Sequence, residues 1–314
     1  MAASLKPLDQ QVIIITGASS GIGLATALSA AKEGAKLVLA ARSQQTLNEI
    51  VQRINAEGGE AISVVADVGD RQQVERVADA ALRQFGRIDT WVNDAGVSIY
   101  GRLDEVSEKD SRRLFDTNFW GVVNGSLAAL PYLKRQGGAL INVGSEVSDA
   151  VVPLQGMYSA SKHAVKGFTD ALRVEIEEID KAPVSVTLIQ PTAVNTPYPE
   201  HARNYMDQEP KLPTPMIEPQ KVADAILKAA TKPERDVKVG TMSKLNTTVA
   251  KVAPGLGDKM SAKQADRQQK PEPPRDPEGT LYKPGEEGRI HGSGEHEEVL
   301  EEAGARGGSS RSSR

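Results

Sequence analysis

Val12-Ile13-Ile14-Ile15-Thr16-Gly17-Ala18-Ser19-Ser20-Gly21-Ile22-Gly23-Leu24 carries the architecture of this chain. The β-branched run at its start suits a fully buried strand. It feeds a glycine-rich turn and then a helical stretch, Leu24 to Glu33, rich in Ala and Leu. Strand, glycine turn and helix start together form a nucleotide-binding crossover. The first glycine permits the tight turn, later ones let a pyrophosphate and the helix approach the backbone, and the helix N-terminus offers N–H donors to phosphates. The glycines fall at 17, 21 and 23, which is not the usual G-x-G-x-x-G spacing. An ordinary glycine turn would fit this segment alone.

Working outward, apolar runs alternate with helical patterns. Lys36–Ser43, Ala61–Val68, Ile88–Asn93, Gly138–Ser145 and Val184–Ile189 read as strands. Leu47–Ala56, Gln72–Phe85, Ser107–Leu133, Ser159–Glu178 and Pro219–Ala230 read as helices, with Asp70 placed to cap the one from Arg71. This alternation predicts an α/β fold: a Rossmann-type doubly wound parallel sheet with helices on both faces. The 314 residues are read as an N-terminal arm (1–10), one α/β domain (11–260) and a C-terminal tail (261–314). A net charge of −4 gives no reason to expect nucleic acid. With no cysteine there are no disulfides, and with four histidines, two of them (His291 and His296) in the tail, no zinc ligand set is evident. Met1 to Gln10 lacks the apolar core of a signal peptide, and no run reaches membrane-spanning length. A cytoplasmic location without membrane association is expected.

The chemistry is expected from Tyr158 and Lys162, in Met157-Tyr158-Ser159-Ala160-Ser161-Lys162. Four residues apart on a helix, they share a face, and the ammonium is expected to lower the phenol's pKa from about 10 towards neutrality. Such a phenol exchanges a proton at working pH, as carbonyl/alcohol interconversion requires. A lone pair of this kind arises readily by chance on a solvated helix. Here it stands with Asn118 in a helix-forming segment, where Asn is unfavourable by propensity, and with Ser145 at a strand end, thirteen residues before Tyr158.

Taken together, T-G-x-x-x-G-x-G at Thr16–Gly23, the Asn93-Asp94-Ala95-Gly96 segment, Ser145 and Tyr-x-x-x-Lys at 158–162 resemble the short-chain dehydrogenase/reductase family. The resemblance runs from about Gln11 to about Gly240. It implies a hydride transfer between a nicotinamide cofactor and a small-molecule carbonyl or alcohol. Tyr158 would be the general acid/base, Lys162 would tune it and hold the ribose, Ser145 would orient the substrate oxygen, and Asn118 would serve a proton relay. It also implies cofactor contacts from Gly17, Ser19, Ser20, Gly21, Ile22, Gly23, Asp67, Val68, Asn93, Ala95, Gly96, Val194 and Thr196, and a homodimer or homotetramer.

At the end of the second strand the ribose-binding acid is absent: Ala41 holds its place and Arg42 follows. A guanidinium favours a 2′-phosphate, so NADP(H) is expected over NAD(H). Two positions depart from the family pattern. Asp94 replaces an Asn, and Thr192 after Pro191 replaces a glycine whose backbone angles a β-branched residue cannot always copy.

Pro197 to Glu218 is read as a lid. Its Tyr205, Met206, Met216 and Ile217 either form an adaptable pocket or anchor a proline-stiffened loop, while His201, Arg203 and Lys211 either meet an anionic substrate or face water. From about Ser261, Gln, Lys, Glu, Pro, Gly and Arg dominate, a composition expected to stay disordered. The alternative is that Leu281-Tyr282 and Ile290 dock on a neighbouring subunit. The competing functional reading is a non-catalytic NADP(H)-binding protein that acts on a partner through this tail.

Overall fold

The structure, a computed structural model, describes residues 4–285 and 288–293. Seven parallel strands form the central sheet: β1 (Val12–Thr16), β2 (Lys36–Ala41), β3 (Glu60–Val65), β4 (Thr90–Asn93), β6 (Gly138–Val143), β7 (Val184–Pro191) and β9 (Asp236–Val239). Their spatial order is β3-β2-β1-β4-β6-β7-β9, so the winding reverses between β1 and β4, where Thr16 lies beside Asn93. Open α/β sheets bind ligands at that reversal, beyond the carboxyl ends of the strands. The two short strands β5 (Ile99–Tyr100) and β8 (Arg203–Asn204) pair in parallel above this edge.

The β-branched runs explain the burial. In β1, Ile13 and Ile15 face one side and Ile14 the other, and all three are fully buried. Ile13 and Ile15 pack with α1 (Gly21–Lys32), α2 (Gln44–Ala56) and α7 (Pro219–Thr231). Ile14 packs with Val38 and Trp91 against α3 (Arg71–Phe85), α5 (Gly121–Gln136) and α6 (Gly156–Arg173). Asp70 caps α3, accepting from the N–H groups of Gln72 at 2.9 Å and Gln73 at 3.2 Å. The arm, described from residue 4, packs Leu5 and Leu8 on the first of these cores.

Several boundaries differ from the sequence expectation. The single helix expected over Ser107–Leu133 is α4 (Glu108–Phe115), one π turn (Asp116–Trp120) and α5. Such a turn breaks the 3.6-residue register at Asn118, so the side chain turns inward. The helix expected to run to Glu178 is α6 followed by a second π turn, Val174–Ile179. Strand β9 and helices α8 (Thr241–Val252) and α9 (Pro254–Ala262) have no counterpart in that reading. Thr192 settles without strain: Leu154 and Lys181 are the non-glycine residues with positive φ among the described residues, and the Thr192 N–H reaches Val239 O at 3.1 Å.

The tail is the largest correction. Beyond α9 the described part is neither free nor turned outward. It runs back over the lid, where Lys211 N–H reaches Gln268 O at 2.9 Å and Lys270 N–H reaches Glu209 O at 2.8 Å. Leu281 is fully buried beside Val97, Ile99 and Leu114 of its own chain, and Ile290 packs on the core that holds α1. Burying such a leucine stabilises by about 1.5–3 kcal/mol. Tyr282, also expected to dock on a neighbour, donates its hydroxyl to Asp110 at 2.8 Å. Glu297–Glu302 and the Gly/Ser/Arg end lie outside the described residues. No helix among the described residues is long and apolar enough to cross a membrane.

Candidate active site

A cavity of about 270 Å³ opens along the carboxyl edge of the sheet, and both ends of the expected machinery line it. The floor is the turn after β1. Gly17 has φ +75°, and a Cβ there would lie 2.7 Å from Ala95 Cα. A Cβ on Gly23 would strike the Gly17 carbonyl, so the start of α1 can pack only on glycine. Gly17, Ser19, Ser20, Gly21 and Ile22 line the cavity, as do Asp67, Val68, Ala95, Gly96, Val194 and Thr196. Gly23 shapes the turn without lining it.

The Asn93 side chain points into the interior and does not line the cavity. Its amide donates to Asn142 Oδ1 at 2.9 Å and its Oδ1 accepts from Trp91 Nε1 at 2.8 Å, within the interior. It holds β4, β6 and α5 together. The sequence offers no sign of this, because Asn142 and Trp91 become its neighbours only through strand pairing.

Ser145, Tyr158 and Lys162 also line the cavity, past the carboxyl ends of β6 and β7. Ser145 follows β6 and Tyr158 lies in the first turn of α6. Lys162 is buried, with Nζ donating to Val143 O at 2.8 Å and lying 5.7 Å from the Tyr158 ring centroid. Burial lowers its pKa to about 8, against the pull of Asp94. The expected lowering of the phenol is not what the site shows. Burial pushes Tyr158 up to about 12, hydrogen bonds from Tyr198 and Ser145 oppose that, and Asp94 and Glu146 add to it. The ammonium is turned to the Val143 carbonyl, and burial of the phenol is the largest influence on its pKa.

Asn118 sits behind these residues, fully buried. It accepts from Val97 N–H at 2.8 Å and donates to Val97 O at 3.0 Å and Ser161 Oγ at 3.1 Å. It braces the segment after Gly96 against α6. Asp94 has a raised pKa of about 7 through burial, with Lys162 and the Gly23 N–H opposing.

Sequence reading missed Tyr198. Its ring meets Tyr158 edge-on at 5.4 Å, and its hydroxyl bonds Ser98 Oγ at 2.7 Å and Gln155 Oε1 at 2.9 Å. Gln155 in turn donates to Gln268 of the tail at 2.6 Å. Glu146 was also missed; it lines the cavity beside Ser145 and accepts from Asn246 Nδ2 at 2.9 Å. The lid's expected apolar set anchors the loop and does not line the cavity: Tyr205 packs beside Leu114, while Met216 and Ile217 are buried. His201, Leu212 and Pro213 line it instead. Arg203 is paired with Asp110 at 3.0 Å and Glu278 at 2.6 Å, so it is not available to an anionic substrate.

At the opposite end Arg42 lines the cavity, but its guanidinium donates to Leu281 O at 3.2 Å and Thr280 O at 2.5 Å. Arg113 of α4 joins it, donating to Leu281 O at 3.1 Å and pairing with Asp67 at 2.5 Å. Two guanidinium groups thus face one carboxylate, and this corner keeps a positive excess.

A glycine turn at a topological reversal and a Ser-Tyr-Lys wall on one cavity match what the sequence profile of the family described as short chain dehydrogenase covers, residues 11–206. The chain belongs to the short-chain dehydrogenase family. It is similar to the uncharacterized oxidoreductase YxnA of Bacillus subtilis, 46% identical over 286 residues, which are 90% of this chain and 80% of that protein. A short-chain dehydrogenase/reductase from Burkholderia phymatum, solved in complex with NAD, superposes with a TM-score of 0.73 at 29% identity, covering 80% of this chain and 96% of the other. An alcohol dehydrogenase from the archaeon Thermococcus sibiricus, complexed with 5-hydroxy-NADP, gives 0.64 at 29% identity, covering 73% and 94%. As a member of this family the chain is an oxidoreductase.

Proposed function

We propose that this short-chain dehydrogenase interconverts a small-molecule carbonyl and its alcohol, with NADP(H) preferred to NAD(H). The observation that carries the reading is the shared cavity, which has the glycine turn at its floor and Ser145, Tyr158 and Lys162 on one wall. The residues suit a dinucleotide: a helix N-terminus for a pyrophosphate, small Ala95 and Gly96 beside it, and a polar wall beyond. The bound nicotinamide would supply or accept the hydride.

The chain's own residues would handle the proton. With a pKa of about 12, Tyr158 is protonated at neutral pH and can donate from its Oη to a developing alkoxide. The Ser145 hydroxyl would donate to the same oxygen, a preorganised donor at the place where charge develops. Lys162, about 8 and thus largely charged at pH 7, would favour the phenolate left behind and hold ribose hydroxyls. Asn118, fixed by Val97 and Ser161, would keep the wall in register and serve the relay that reprotonates Tyr158.

Preference for NADP(H) rests on Arg42 and Arg113 together, whose paired guanidiniums outweigh Asp67. The neighbours' bound cofactors, NAD in one and an NADP analogue in the other, leave both open to the family. Reduction of a panel of aldehydes and ketones, followed at the nicotinamide absorbance, is the test. Turnover that Tyr158→Phe abolishes while nucleotide binding persists supports the assignment; turnover undiminished in that variant contradicts it.

A further inference from the structure

Across the mouth of the cleft, the segments Pro277–Gly285 and Gly288–Ser293 place backbone carbonyls on the donors that a dinucleotide's phosphates need. Arg42 gives two of its N–H groups to Thr280 O and Leu281 O, and Arg113 gives one to Leu281 O. At the pyrophosphate end, the Gly21 N–H, first residue of α1, donates to Arg289 O at 2.9 Å. A backbone N–H is a single donor, and a guanidinium that gives an N–H of each terminal nitrogen to carbonyls has two of its five donors taken, so a phosphate must compete for them. Thr280, Pro284 and Gly285 also line the cavity itself.

We propose that these segments form an intramolecular strap that competes with the dinucleotide's phosphates for Arg42 and the Gly21 N–H, so that cofactor binding requires strap release. The proposal rests on the dinucleotide reading of the cleft. The strap is held at defined points. Leu281 is buried beside Val97 and Leu114. Gly279, with φ +53°, lies against the His201 and Ala202 carbonyls where a Cβ would collide. Thr280 N–H donates to His201 O at 2.8 Å, Arg289 pairs with Glu200 at 2.8 Å, and Ser293 N–H reaches Glu200 Oε1 at 2.6 Å. Apart from Leu281 and Ile290, which packs on the core that holds α1, the anchors are polar and backbone contacts that water or a phosphate can replace.

The anchors also link the two ends of the cleft. Glu200, His201 and Ala202 lie two to four residues after Tyr198 in the chain, and Tyr198 meets the Tyr158 ring. Strap release therefore frees the segment that presses on the catalytic wall. Through this connection, phosphate capture at Arg42 loosens the lid at the substrate end.

A reversible lock tests this. A Cβ at Gly288 would lie 3.3 Å from Thr46 Cγ2, within reach of a disulfide in a chain that has no cysteine of its own. The full-length Thr46→Cys/Gly288→Cys protein is titrated with NADPH and with NADH, oxidised and then reduced. The expected result is at least tenfold weaker NADPH binding in the oxidised form, restored by reductant. Equal or tighter binding when locked overturns the proposal. A folded, reduced protein that binds neither nucleotide overturns the dinucleotide reading, and the strap falls with it. In the unmodified protein, saturating NADPH should speed hydrogen exchange at residues 277–285 and 288–293. Slower exchange there would mean that the strap closes over the cofactor and does not compete with it, and would refute the proposal independently of the lock.

Discussion

At the reaction end of the cleft, Tyr158 lies in the first turn of α6, Ser145 follows the end of β6, and Lys162 one turn on donates to Val143 O of that strand at 2.8 Å. At the other end, Arg42 gives its donors to the backbone of a segment 239 residues further along. The first set is built on α6 and the end of β6, elements that pack on the central sheet. The second is assembled by a segment with little core of its own, anchored by Leu281 and Ile290. Chemistry needs groups that hold still, whereas nucleotide entry needs groups that can be given up. The two ends divide these demands.

The contrast breaks most sharply at Tyr158. Tyr158→Phe is expected to lower turnover by on the order of 10³-fold, within the usual span for losing a general acid, with NADPH affinity unchanged within about threefold. Parallel steady-state and titration measurements check this. A matching loss of binding would mean that the wall holds cofactor and does no proton transfer.

Arg42→Ala should act on the other end. Losing a charge-assisted contact worth about 1.5–3 kcal/mol weakens NADPH roughly 10- to 100-fold. NADH should bind no more weakly than before, since the strap loses the same partner. Fluorescence titration of both nucleotides reads the two effects apart.

Asp94 sharpens the comparison through pH. Its folded pKa of about 7 lies above the ordinary 3.8, so the native state binds the extra proton. Stability from this group is therefore present at low pH and is lost as pH rises from about 4 through about 7. Lys162 has the opposite case: its folded pKa of about 8 lies below 10.5, so stability rises with pH between those values. Asp94→Asn should melt a few degrees higher than the parent at pH 8, with the gap closing towards pH 4. Removing that carboxylate also takes away the group holding Lys162 up, so the alkaline fall in activity should begin at lower pH. Thermal melts and a pH–rate profile give both readings.

The smallest expected effect is Tyr198→Phe. It removes a hydrogen bond that lowers the Tyr158 pKa and two that tie the lid to Ser98 and Gln155. Turnover should fall by roughly tenfold or less, in line with one neutral hydrogen bond of about 1 kcal/mol. An unchanged rate would place Tyr198 in packing alone.

Where the sequence was legible, local physics carried the information. Ile13, Ile14 and Ile15 announce a buried strand, Gly17 and Gly23 the tight turn, and Asp70 a helix start, and the structure shows each. Strand β9, Asp236-Val237-Lys238-Val239, escaped because it is short, and its Asp and Lys alternate as on a half-exposed edge. The π turn at Asp116–Trp120 follows from long-range packing of Asn118 on Val97, which no local pattern encodes. The interior bonds of Asn93 were not foreseen because its partners, Asn142 and Trp91, are assembled only by the sheet. The strap was the hardest to foresee. Its composition reads as solvated chain, two apolar residues anchor it, and its contacts to Arg42, Arg113 and Gly21 are backbone carbonyls that any residue supplies.

The most direct measurement is a titration of the purified full-length protein with NADPH and with NADH, followed by nicotinamide fluorescence, which requires no knowledge of the substrate. Saturable binding of NADPH at least tenfold tighter than NADH is expected, in line with two guanidiniums facing one carboxylate around Arg42. Binding of neither nucleotide, or tighter binding of NADH, would contradict it.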